Sequence, residues 1–127
     1  MKIYGLGTDI VNVNRIKVII KKNKNFKKRI FTLKEINFCK YKKNQFLCLS
    51  KRFAAKEAFS KALGVGISKG LKFKEIEVIN DNKGKPSINI RGKSLKIVNK
   101  LLKKDYSSFL SLSDEKSYAI ATVIISK

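Results

Sequence analysis

Apolar residues occupy both parities of the stretch from Ile3 to Val11, and glycines stand at positions 5 and 7. That pattern predicts a strand covered on both faces, with room at the glycines for a closely packed neighbour. From Asn14 to about Lys24 the spacing changes. Ile16, Ile19 and Ile20 recur at helical intervals among Arg15, Lys17, Lys21, Lys22 and Lys24, as in an amphipathic helix with a basic outer face. Thr32 followed by Glu35 is a capping box that opens a second helix running to about Lys42. A third begins between Asn44 and Ser50 and continues through Leu63, where glycines at 64 and 66 stop it. At about 100° per residue, Ala54, Ala55, Ala58, Phe59, Ala62 and Leu63 form one apolar arc, Lys56 and Ser60 lie opposite it, and Glu57 and Lys61 share one edge. The alanines favour helix and leave space for another backbone to approach.

From Ile67 onward the pattern turns to β. Glu75–Asn80 and Ser87–Arg91 read as a hairpin around Asp81-Asn82-Lys83-Gly84, with Pro86 at the entry of the second strand. Leu95, Val98, Leu101 and Leu102 mark a helix from about Gly92, and Ser108–Ser113 and Tyr118–Ile125 are closing strands joined by Asp114–Ser117. No repeat, linker or low-complexity boundary divides residues 1–127. The expected fold is one α+β domain, an antiparallel sheet packed against a long central helix and shorter helices. A chain of 127 residues buries about two thirds of the surface it exposes when unfolded.

No apolar run approaches the roughly 20 residues of a membrane helix. The first apolar stretch is broken by Gly5, Gly7 and Asp9, so no signal peptide is expected and the chain reads as cytoplasmic. Cys39 and Cys48 come with no histidine and without the close pairing of a zinc site, so both are expected as reduced thiols on helical stretches. The net charge of +21 calls for an acidic partner. It argues poorly for nucleic acid, because only Arg15, Arg29, Arg52 and Arg91 among the thirty cations carry the guanidinium fork that phosphate and base readout favour. An RNA-binding module would also expose aromatics on a sheet, whereas Tyr4, Phe53, Phe59, Phe73 and Tyr118 sit among apolar neighbours and read as core.

The nine acids are more informative than the thirty bases. Glu35 belongs to the capping box, Glu75 and Glu77 alternate with Ile76 and Val78, Asp81 is in a turn, and Asp105, Asp114 and Glu115 fall in polar connections. Asp9 and Glu57 are left without a local structural role. Asp9, on a doubly covered strand, is expected at least half buried, where an isolated carboxylate costs several kcal/mol unless paired, protonated or bound to a metal. For Glu57 two readings stand: an i,i+4 ion pair with Lys61 worth about 0.3–0.5 kcal/mol, or a carboxylate held beside a cation and a metal.

Gly5-Leu6-Gly7-Thr8-Asp9-Ile10-Val11, Arg52-Phe53-Ala54-Ala55-Lys56-Glu57-Ala58 with Lys61, Gly64-x-Gly66, Asn80-Asp81 with Gly84-Lys85-Pro86, and Ser113–Ala121 occur in this order. Together they resemble the holo-(acyl-carrier-protein) synthases, which are 4'-phosphopantetheinyl transferases, over essentially the whole chain. The resemblance implies a magnesium ion held by Asp9 and Glu57 together with the pyrophosphate of coenzyme A, a hard-oxygen set that suits magnesium. It makes Asp9, Glu57 and Lys61 the catalytic residues, with Lys61 stabilising the leaving phosphate. A serine hydroxyl of apo acyl carrier protein would attack the β-phosphate, its proton going to Glu57, Asp9 or a water on the metal.

By the same resemblance Lys56, Ser60 and Gly64 contribute to the coenzyme pocket, and Gly84, Lys85 and Pro86 of an adjacent subunit lie near the nucleotide. Arg15 and Lys22 would dock the acidic helix of the carrier protein, and the assembly implied is a homotrimer with sites between subunits. No membrane or nucleic-acid partner is implied. The chain departs from many members at Val65, where threonine is common, and at Asp114, where histidine is common, so neither a hydroxyl contact nor a histidine role carries over. The lysines between Lys40 and Lys51 do not align, and the coenzyme 3'-phosphate is assigned to none of them.

Overall fold

The computed structural model describes residues 2–127. Strand β1 (Ile3–Asn12) leads into helices α1 (Val13–Lys22), α2 (Phe26–Ile30), α3 (Leu33–Lys40) and the long α4 (Gln45–Leu63). The hairpin β2 (Ile76–Asn80) and β3 (Pro86–Ile90), helix α5 (Gly92–Leu102), and strands β4 (Ser107–Glu115) and β5 (Tyr118–Ser126) complete the chain. Side chains cap the helices where the sequence places cap residues. Asn12 accepts from the Arg15 N–H, Asn44 from the Leu47 N–H, and Thr32 and Glu35 form the capping box of α3. Gly64, at φ 81°, ends α4 by donating its N–H to the carbonyls of Ser60 and Lys61. Among the described residues no helix is long and apolar enough to cross a membrane.

The expected antiparallel sheet is two ladders. β1, β5 and β4 pair in that order, while β2 and β3 form a separate hairpin with β3 beside β4. α4 lies across the inner face of the three-stranded sheet, and the glycines of β1 set how close it comes. A Cβ at Gly5 would stand 1.7 Å from the Ala62 carbonyl oxygen, and one at Gly7 would stand 1.9 Å from that of Ala58. The alanine arc of α4 meets Val11, Ala121, Val123 and Ile125 in the main core, as the spacing predicts.

Four expectations are corrected. β1 is covered on one face only: Leu6 and Ile10 are 64% and 63% exposed. Register sets Leu6, Ile124 and Phe109 in one row across the three strands and Ile10 beside Ile120, an apolar outer face. Tyr4 and Tyr118, read as core, are likewise exposed, whereas Phe59 is buried and Phe53 stacks on Phe73 at 5.3 Å between centroids.

Lys56 is the third correction. A second apolar cluster of Ile30, Phe31, Cys39, Cys48 and Leu49 covers another side of α4, so the face opposite the alanine arc is interior. Lys56 is fully buried there, with its ammonium 2.8 Å from Glu35 and donating to the carbonyls of Phe73 at 2.9 Å and Ile76 at 2.7 Å. Burial lowers its pKa, against the neighbouring Glu35 charge. Fourth, Cys39 and Cys48 are joined in a disulfide rather than free, because α3 packs against the first turn of α4 and brings their Cα atoms within 5.5 Å. Helix α2, only five residues long, was not expected.

Candidate active site

Strand alternation puts Asp9 on the α4 side of β1, in line with Gly5, Gly7 and Val11, and one helical turn along α4 separates Glu57 from Lys61. Because the glycines admit α4 so closely, Lys61 Nζ reaches Asp9 Oδ1 at 3.1 Å and the Thr8 carbonyl at 3.0 Å. Lys61 therefore takes its partner across the β1–α4 contact, and the i,i+4 ion pair with Glu57 is not formed. The Asp9 side chain is 16% exposed and that of Lys61 54%, so the carboxylate is sunk and the cation reaches into solvent. Burial first, and the Asp9 charge second, push the Glu57 pKa up, while Lys61 pulls it down.

Where the Asp9 charge disfavours that of Glu57, a bound cation would relieve the repulsion. Hard oxygen donors with solvent access fit magnesium, which takes few protein carboxylates and completes its shell with water and phosphate oxygens. Among the described residues no third acid, histidine or cysteine gathers with Asp9 and Glu57.

The remaining candidates fall into three places. Ser60 and Gly64 adjoin the end of α4: the Ser60 hydroxyl donates to the Val65 carbonyl at 2.6 Å, tethering the turn, and Gly64 is exposed. Lys85 lies exposed in the β2–β3 turn, its N–H bonded to Asp81, and Pro86 borders an open cleft of about 1190 Å³ that Lys17, Lys42, Lys43 and Lys51 also line. Asp9, Glu57, Lys61 and Gly64 are not among the residues lining that cleft, so one copy carries a carboxylate site and a basic cleft as separate features. Lys56 belongs to neither, since its ammonium is enclosed by Glu35 and two carbonyls. Arg15 and Lys22 are exposed on α1.

Arg52 was quoted in a motif but given no role. It is 3% exposed, its guanidinium donates to Asn80 and to Cys48 Sγ, and it lies 4.3 Å above the Phe38 ring at the cleft. Its place four residues after Cys48 was the only signal in the sequence, and it becomes meaningful only once Asn80 is brought alongside.

A family model, the 4'-phosphopantetheinyl transferase superfamily, matches residues 5–123. The chain belongs to that superfamily. Among curated relatives, the holo-(acyl-carrier-protein) synthase of Pelagibacter ubique (strain HTCC1062) is 52% identical over all of this chain and 99% of its own length. The crystal structure of the Neisseria meningitidis synthase superposes with TM-score 0.86 at 37% identity, covering 99% of this chain and all of the other. That of the Bacillus anthracis synthase in complex with CoA (3',5'-ADP) gives TM-score 0.78 at 38% identity over 97% and 96% of the two chains. The protein is thus a transferase of the holo-(acyl-carrier-protein) synthase family, with that family's α+β fold.

Proposed function

We propose that this enzyme moves the 4'-phosphopantetheine group of coenzyme A onto a serine of apo acyl carrier protein, at a magnesium site held by Asp9 and Glu57. The observation that carries the reading is the meeting of the two unexplained acids, from β1 and α4, with Lys61 bonded beside them. The likeness to a synthase whose structure contains CoA supports the substrate. The serine oxygen gives up its proton to Glu57, Asp9 or a water and forms a bond to the β-phosphorus, the bond from that phosphorus to the bridging oxygen breaks, and adenosine 3',5'-bisphosphate leaves. When bound, magnesium would neutralise the pyrophosphate and hold it for in-line displacement. The half-exposed Lys61 ammonium, fixed by Asp9 and the Thr8 carbonyl, meets the charge that grows on the leaving phosphate.

The separation of the carboxylate site from the basic cleft supports a second part of the reading. A homotrimer would set the Asp9–Glu57 site of one subunit against the neighbour's cleft, with Gly84, Lys85 and Pro86 near the nucleotide. The apolar outer row of Leu6, Ile124 and Phe109 gives such an assembly a surface to bury. Arg15 and Lys22, on a helix with no acid in its first turn, would receive the acidic carrier protein. A cytoplasmic location goes with coenzyme A and carrier protein as the proposed substrates. Ser60 and Gly64, at the C-terminal end of α4 beyond Glu57, would meet the coenzyme beyond the pyrophosphate. Asp9→Asn and Glu57→Gln enzymes should each lose turnover of coenzyme A and apo carrier protein, and retention of full magnesium-dependent rates by both would refute the assignment.

A further inference from the structure

The two cysteines are not equivalent. Cys39 is wholly enclosed at the end of α3, among Phe31, Ile30 and Leu49. Cys48, in the first turn of α4, borders the basic cleft and receives Nη1 of Arg52 at 3.5 Å on its sulfur. Their bond, nine residues apart in sequence, closes the loop whose Lys42, Lys43 and Asn44 form a wall of that cleft.

We propose that Cys39 and Cys48 are a thiol–disulfide modification site, in which Cys48 reacts with low-molecular-weight disulfides, Cys39 resolves the adduct, and the oxidised pair fixes the cleft wall. The Arg52 guanidinium lies beside the Cys48 sulfur, and Cys48, 9% exposed against 0% for Cys39, is the one of the two cysteines that lines the cleft. The Cys48 thiolate attacks one sulfur of the small disulfide, whose own S–S bond breaks to release one thiolate. The Cys39 thiol then gives up its proton and attacks the Cys48 sulfur, forming the intramolecular bond and releasing the second small thiol. The pair loses two electrons and two protons, and one small disulfide becomes two thiols. Closing the loop removes freedom from the segment that lines the cleft, so the oxidised form is the better organised for a ligand. This last step rests on the reading of the cleft as a coenzyme site.

The test begins with the fully reduced, full-length protein and oxidised glutathione, quenched with acid at intervals and mapped by peptide mass spectrometry. Wild type should pass through a glutathione adduct on Cys48 to the Cys39–Cys48 disulfide. Cys39→Ser should accumulate the Cys48 adduct, and Cys48→Ser should react at least about tenfold more slowly. Equal reaction at the two cysteines, or two free thiols persisting in wild type, would overturn the proposal. Should a variant fail to fold, brief iodoacetamide labelling of reduced wild type gives the same comparison: Cys48 faster supports the site, equal rates overturn it. Coenzyme A titrated into oxidised and reduced wild type should bind about threefold to tenfold more weakly to the reduced form. Equal affinity overturns the link to the cleft, whereas binding by neither form overturns the coenzyme reading and leaves the thiol chemistry standing.

Discussion

At the scale of the residue, the pair proposed to carry the chemistry was legible because acids are rare in this chain: Asp9 and Glu57 were those without a local role. Lys56 was not legible, since a helical wheel ranks faces by apolarity and cannot know that Glu35 and two backbone carbonyls cover the polar one. Each case gives a prediction. Glu57→Gln should lower kcat by about 100-fold or more, yet raise the melting temperature of metal-free protein. The sign follows from the raised Glu57 pKa: the folded state holds this proton more tightly, so stability falls as pH rises from the ordinary glutamate value through the raised one, then stays level. The advantage of the glutamine variant should therefore open across that window and persist above it, in thermal melts with chelator present. Lys56→Met leaves Glu35 buried without its cation and should cost about 3–5 kcal/mol in denaturant unfolding. A loss below about 1 kcal/mol would mean that water reaches Glu35.

At the scale of the element, caps and turns made the long helices and the β2–β3 hairpin readable, because their signals are local. Helix α2 escaped because five residues show little more than one period. The disulfide escaped because a separation of nine carries no meaning until α3 folds against α4. The contact of greatest consequence is β1 on α4, where Gly7 lets the two backbones meet. Gly7→Ala should force them apart, destabilise by about 1–3 kcal/mol, and lower activity beyond what the loss of folded protein explains, since Asp9 rides on β1 and Glu57 on α4. Chemical denaturation together with activity per folded molecule checks this.

At the scale of the whole molecule, periodicity implied a β1 strand covered on both faces, and one copy covers only the α4 side. The apolar outer face left over is the surface that the proposed trimer would bury. Leu6→Asp, at the β1 end of the outer row, should shift the proposed trimer to monomer in sedimentation and abolish activity while the monomer stays folded. Charge acts at the same scale: reversing Arg15 to glutamate should raise KM for carrier protein at low salt, with the difference shrinking as salt screens the encounter.

The most direct test of the account is the mass of apo acyl carrier protein after incubation with this enzyme, coenzyme A and magnesium, beside a parallel sample containing chelator. A gain of one phosphopantetheine with magnesium, and none with chelator, is expected. An unchanged carrier mass in both samples, with the carrier shown competent by another transferase, would contradict it.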